Sequence, residues 1–158
     1  MTVTAAPAIS DLSLIIPGLK ARRRDPALTE MSEHAHRAGA ARAAGPLAEL
    51  LHTRERIGST GLGKGVALPH VRSLLVTRPV LLLARSTRGI EWSGEDDEPV
   101  QLVALVLAPA ELGDDAWHTL LARASTLGRL QKHRQRLLAA GDADALLAAM
   151  RDALAATR

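Results

Sequence analysis

The sequence contains no cysteine. Disulfide frameworks, thiolate metal centres and cysteine nucleophiles are therefore excluded. Phenylalanine and tyrosine are absent too, and the two tryptophans, Trp92 and Trp117, stand apart from each other. The core must be assembled from Leu, Val, Ile and Ala. No aromatic side chains interleave with the basic clusters Arg22-Arg23-Arg24 and Arg129 to Arg136, as base stacking on a single strand requires. Charge of one sign is also scarce: 20 Lys and Arg against 17 Asp and Glu leave a formal +3. The basic clusters read as solvated surface, and no nucleic-acid partner is expected. No apolar run approaches the ~18 residues of a membrane span. The opening MTVTAAPAIS lacks the basic start and long apolar stretch of a secretory leader. A soluble, cytoplasmic protein without membrane insertion is the expectation.

What remains is ordinary globular material. With 158 residues, 47% hydrophobic and 23% charged, the chain is long enough to bury a true core, and one domain over residues 1–158 is expected. Asp25-Pro26 reads as a helix start, Asp as the cap and Pro in the first helical position, with Leu28, Met31, Ala35 and Ala38 at helical spacing up to Gly39. Gly45-Pro46 opens a second helix with Leu47, Leu50 and Leu51 on one face and Arg54-Glu55 near its end.

A Gly-rich stretch, Gly58 to Gly65, follows and reads as irregular. It leads into Val66 to His70, short and apolar enough for a strand. Val80 to Ala84 and Val100 to Leu107 are nearly continuous apolar runs, as strands covered on both faces require; a polar turn, Gly94 to Glu98, separates them. Asp114-Asp115 introduces a long helix with Trp117, Leu120, Leu121 and Ala124 inward. Gly141-Asp142 starts a last helix with Leu146, Leu147, Met150 and Leu154 inward. The sum is a single α/β (α+β) domain with helices around one sheet.

The run Gly58-Ser-Thr-Gly-Leu-Gly63-Lys64 matches part of a nucleotide-binding P-loop. Residue 65 is Gly, however, where magnesium ligation needs Ser or Thr. A helix precedes the run and a strand follows it, the reverse of the required order. What the loop does offer is a series of backbone N–H groups free of bulky side chains, suited to holding an anion. Ser59, Thr60, Gly61, Gly63 and Lys64 are the candidate phosphate-binding residues. His34-x-His36 invites a metal, but residues two apart on a helix face different ways. His52 and His133 have no partners in sequence, and neither a metal nor a cofactor is expected.

The run Arg54-Glu-Arg-Ile-Gly-Ser-Thr-Gly-Leu-Gly-Lys-Gly-Val-Ala-Leu-Pro-His70 resembles the phosphorylation-site signature of the type-2 enzyme IIA domains of the bacterial phosphoenolpyruvate-dependent sugar phosphotransferase system. Pro79-Val80, Gly89-Ile90, Pro99-Val100, the Leu-rich run to Pro109 and His118 before Leu120-Leu121-Ala122 follow the same family order. Gly-Ser-Thr-Gly is more similar to the nitrogen-regulatory branch than to the mannitol branch. Lys64, Val71 and Thr119 depart from the residues common in relatives.

The resemblance implies a mixed sheet flanked by helices, with His70 as phosphoryl acceptor and His118 and Arg54 as its site partners. It implies the phosphocarrier HPr, or its nitrogen-branch equivalent, as donor. Downstream it implies an EIIB protein, or a transporter or kinase regulated by the state of His70. No IIB or IIC part is seen in the sequence, which tilts the expectation towards regulation. A phosphorylation-independent binding module and a sugar-specific transport component are the alternatives; the oligomeric state is left open.

The residues suit that chemistry. Neutral imidazole, with an ordinary pKa of about 6.5, is an available nucleophile near neutral pH. Phosphoryl transfer spreads charge over equatorial oxygens, so donors should surround the acceptor. His118 lies in the first turn of its helix, where free N–H groups favour an anion, and Arg54 offers a forked pair of donors.

Overall fold

A computed structural model describes residues 13–92 and 98–156. The helices α1 (Arg24–Arg37), α2 (Ala44–Ile57), α3 (Asp114–Arg129), α4 (Gln131–Ala139) and α5 (Ala143–Ala155) surround one mixed sheet. Its strands are β1 (Ser13–Ile16), β2 (Gly61–Gly63), β3 (Val66–Ala67), β4 (His70–Ser73), β5 (Val80–Ile90) and β6 (Val100–Pro109). β1 runs parallel to β5, and β5 is antiparallel to β6. The far edge of β6 is shared: β3 pairs with its first half and β4 with its second, both parallel. β2 folds back antiparallel on β3.

The continuous apolar runs of β5 and β6 are buried on both faces because helices cover both. Leu81, Leu83, Ala104, Val106 and Ala108 pack with Trp117, Leu120, Leu137 and Met150 under α3, α4 and α5. The alternate positions Val80, Leu82, Val103, Leu105 and Leu107 pack with Leu28, Met31, Leu47 and Leu51 under α1 and α2. The two-residue period of the strands thus distributes one apolar sequence between two cores.

Several boundaries differ from the sequence reading. Asp25 is not the cap of α1: Arg23 holds that position, and the helix begins at Arg24. The cause lies elsewhere in the chain. The backbone N–H of Arg24 donates to the carbonyl of Glu91 at 3.0 Å, and Arg23 bridges Glu91, so the helix entry is pinned two residues early. Pro26 sits comfortably in the first turn, where its missing N–H would have had no helical partner. Asp142, by contrast, does cap α5, accepting from the N–H of Ala145 at 2.8 Å.

The Gly-rich stretch is more regular than its composition suggests. Gly61–Gly63 is a strand, and Gly63, Lys64 and Gly65 form the hairpin turn to β3 with φ of 84°, 57° and 77°. Pro69 divides the expected strand Val66 to His70 into β3 and β4. The turn Gly94 to Glu98 lies outside the described residues except for Glu98.

His34, on α1, is held below the ordinary imidazole value of 6.5, first by burial and then by the nearby Arg37 charge. The unfolded chain therefore binds a proton that the folded chain refuses, over a window that opens at 6.5 and extends down to the folded value. Stability should fall as the pH drops through that window. Melting curves between pH 7.5 and 5.5 should show a steeper loss for the wild type than for His34→Gln.

Candidate functional site

β4 places His70 opposite Val106 on the sheet edge, and Val106 faces the core under α3. The His70 ring lies beside Trp117 of α3, with centroids 6.0 Å apart and planes tilted by 49°. Its Nδ1 is 2.8 Å from the carbonyl oxygen of Leu68. A carbonyl only accepts, so Nδ1 carries the hydrogen, and in the neutral ring the lone pair is on Nε2. Pro69, between the two residues, restricts the backbone that sets this contact. The result is a half-buried imidazole with its tautomer fixed and Nε2 available as a nucleophile.

Arg72 follows two residues along the same strand and therefore shares the face of His70. Its guanidinium lies 5.5 Å from the Trp117 ring centroid. It donates to the carbonyl of Leu112 at 3.0 Å and to Asp114 at 2.7 Å. The hydrogen bond and charge of Arg72 hold the Asp114 carboxyl below its ordinary value, with a smaller contribution from His118. The first turn of α3 is thus tied to β4 beside His70. Strand parity alone could have singled out Arg72, which the sequence reading passed over.

His118 is exposed next to Trp117; as the fifth residue of α3 it lies just past the first turn, to which the sequence reading assigns it. Trp117, not His118, is the residue stacked beside His70. Arg54 ends α2 by donating through Nη1 to the carbonyl of Gly58 at 2.9 Å, so its guanidinium brackets the start of the Gly-rich loop. Ser59 is exposed and its hydroxyl accepts from the N–H of Gly61 at 3.1 Å. Thr60 is buried, with both its N–H and its hydroxyl donating to the Glu55 carboxylate. The carbonyl of Thr60 in turn accepts from the N–H of Leu68 at 3.0 Å. The loop is therefore moored to the segment that carries His70, and Glu55, which reads in sequence as half of a surface pair, is 3% exposed.

Gly63 and Lys64 are not brought to His70. Their turn abuts the start of β6, where the carbonyl of Gly65 accepts from Gln101 and Leu102. His70 pairs with Val106, five residues on, which at a strand rise of ~3.3 Å is about 16 Å away. The candidate phosphate-binding residues thus split: Ser59, Thr60 and Gly61 lie by the Pro69-His70 segment, and Gly63 and Lys64 form the distant hairpin tip. Because Lys64 occupies the left-handed region, Lys64→Asn should leave the chain as stable or about 0.5–1 kcal/mol more stable. Phosphoryl acceptance should be unchanged, as read by intact mass. A large loss of acceptance would place Lys64 in the site after all.

A cleft of about 900 Å³ lies elsewhere, between the β1–α1 connection and His52 of α2. Within it the ring Nε2 of His52 donates to the carbonyl of Asp25 at 2.9 Å. No group of three or more His, Cys, Asp or Glu able to hold a metal occurs among the described residues. Nor is any helix among them long and apolar enough to cross a membrane.

A mixed sheet covered on both faces thus carries His70 at its edge, its Nδ1 bonded to the Leu68 carbonyl, beside a Gly-rich loop. The chain belongs to the family of phosphoenolpyruvate-dependent sugar phosphotransferase system EIIA type-2 domains, which its residues 9–153 match. It is 37% identical over 136 residues to a nitrogen regulatory protein of Bradyrhizobium diazoefficiens, covering 84% of this chain and 85% of that one. Its fold is shared with the nitrogen regulatory protein IIA-Ntr of Neisseria meningitidis (TM-score 0.79, 23% identity, 90% and 98% of the two chains). The enzyme IIA solved in complex with phosphorylated mannitol enzyme IIB from Escherichia coli also shares it, with a TM-score of 0.64, 19% identity, and 87% and 94% coverage.

Proposed function

We propose that the protein accepts a phosphoryl group on Nε2 of His70 from a phosphorylated carrier protein, HPr or its nitrogen-branch equivalent. It then either relays the group or signals through its presence. The observation that carries this reading is the Nδ1 to Leu68 carbonyl hydrogen bond, which leaves the Nε2 lone pair free on a half-buried ring. In the transfer, Nε2 forms a bond to phosphorus as the bond from phosphorus to the donor's nitrogen breaks. The Leu68 carbonyl retains the Nδ1 proton and steadies the positive charge that develops on the ring. Arg54 and His118 supply donors for the phosphoryl oxygens, and Arg72 adds a cation on the same strand face.

Several features favour a macromolecular donor. His70 sits at a sheet edge, outside the 900 Å³ cleft. Ile57, just before the Gly-rich loop, and Leu62, within it, are 81% and 46% exposed. Such an apolar border suits transient docking of a protein surface. The similarity to nitrogen regulatory proteins supports a regulatory outcome: roughly two negative charges added at His70 are enough to change which partner the surface accepts. The enzyme IIA with bound phosphorylated enzyme IIB in the shared fold supports an EIIB protein as one class of downstream partner.

The test is incubation with phosphoenolpyruvate, enzyme I and either carrier, followed by intact-mass analysis. An acid-labile gain of one phosphoryl group supports the proposal. No gain with either donor set sinks it and leaves a binding module that has kept the fold.

A further inference from the structure

We propose that Glu55 is a positioning residue for His70, setting the ring's tautomer and orientation through Thr60 and Leu68. The inference rests on the acceptor reading of His70, but the structural chain behind it stands separately.

The path is continuous. Both oxygens of the Glu55 carboxylate are used: one accepts from the backbone N–H of Thr60 at 3.1 Å, the other from the Thr60 hydroxyl. The Thr60 carbonyl accepts from the N–H of Leu68 at 3.0 Å. The Leu68 carbonyl accepts from Nδ1 of His70 at 2.8 Å. Glu55 is 3% exposed and Thr60 6% exposed, so water does not compete for the carboxylate. A buried carboxylate is costly unless its hydrogen bonds are complete. Here their completion fixes Thr60 at one point, although glycines at 58, 61, 63 and 65 make the surrounding loop intrinsically permissive. Without that mooring the Leu68 carbonyl is held only through its flanks, Ala67 paired with Val103 and the Pro69 carbonyl accepting from Val106, and the choice of ring nitrogen that bears the proton loosens.

Glu55 does not touch the reacting atoms; it acts on the geometry of a group that does. Gln is the informative replacement. It keeps size and the acceptor for the Thr60 N–H, but its NH₂ can only donate, so the Thr60 hydroxyl must reverse from donor to acceptor and both bonds lose the charge of the carboxylate. Misplacing a nucleophile by a fraction of an ångström to ~1 Å costs on the order of ten- to a hundredfold in rate.

The experiment uses the full chain. The His70 tautomer is read by ¹⁵N–¹H correlation spectroscopy of the imidazole in wild type, Glu55→Gln and Thr60→Val. The rate of phosphoryl gain from the phosphorylated carrier is measured on the same proteins. Expected are a single Nδ1–H tautomer in the wild type and a mixture in Glu55→Gln, with acceptance slowed about tenfold or more. Thr60→Val, which removes only the hydroxyl bond, should shift both readings the same way by less, and Thr60→Ser should restore them. Folded variants with the wild-type tautomer overturn the proposal, whatever their rate. A wild type that accepts no phosphoryl group overturns the acceptor reading alone, because the tautomer comparison still decides the role of Glu55. Should Glu55→Gln fail to fold, the Thr60→Val and Thr60→Ser pair carries the same decision.

Discussion

His70→Gln is expected to reduce phosphoryl acceptance to background while leaving the fold and melting temperature close to those of the wild type. The half-buried ring lies beside Trp117 and hydrogen-bonds to the Leu68 carbonyl, so its removal costs the structure little, about 1 kcal/mol. Its chemical contribution is total, because the Nε2 nucleophile is lost with the ring. His118→Ala separates the two histidines. If His118 supplies a donor to the phosphoryl oxygens, its loss slows acceptance by ~10²-fold without abolishing it. The graded pair, abolition at 70 and slowing at 118, is the signature of a nucleophile with a supporting donor. Equal loss at both positions would contradict that division of roles.

Arg85→Met should produce the largest loss of stability. Arg85 is 6% exposed on β5, and it donates to backbone carbonyls. Nε donates to the carbonyl of Pro17 at 3.0 Å, and Nη1 donates to the carbonyls of Leu137 at 3.0 Å and Ala140 at 2.5 Å. The last two lie at the C-terminal end of α4, where the helix dipole favours a cation. One side chain therefore ties the β1 exit, the central sheet and the α4–α5 corner together.

Met fills a similar volume but donates nothing, leaving several buried carbonyls without partners. The expected cost is about 3–5 kcal/mol, or a fall in melting temperature of roughly 10 °C for a chain of this size. Calorimetry or chemical denaturation reads it directly. Acceptance by His70 at low temperature should survive, since Arg85 belongs to the scaffold; a change under 1 kcal/mol would refute its role as the corner's anchor.

The legibility of this molecule in its sequence varied with the physical source of each signal. Strong periodicity marked α1, α2, α3 and α5, and unbroken apolar runs marked β5 and β6, because burial on two faces leaves little room for polar residues. α4 was read as a solvated basic stretch. Only His133 and Leu137 of its nine residues are buried, too few for a visible stripe. β1 is four residues long and carries no turn signal beyond Pro17-Gly18. The β2–β3 hairpin was hidden because its three-residue strand is two-thirds glycine, and its pairing depends on partners that only the fold supplies.

At the candidate site, the pattern from Arg54 to His70 marked segments that the structure joins through Glu55, Thr60 and Leu68. It could not show that Lys64 sits in a hairpin turn by the start of β6, that Glu55 is buried, or that Trp117 lies beside the His70 ring. Those are outcomes of register. Val106 sits opposite His70 and Gln101 beside Gly65, and strand register is set by long-range pairing that a local motif does not encode.

If His70 is poised as an Nε2 nucleophile, the position of phosphorus on its ring reveals it. Heteronuclear spectra of the ¹⁵N-labelled chain, recorded after phosphorylation by enzyme I and carrier, distinguish the two imidazole nitrogens. Phosphorus is expected on Nε2 of His70, with Nδ1 still protonated and bonded to the Leu68 carbonyl. Phosphorus on Nδ1, on His118, or on no histidine would contradict it.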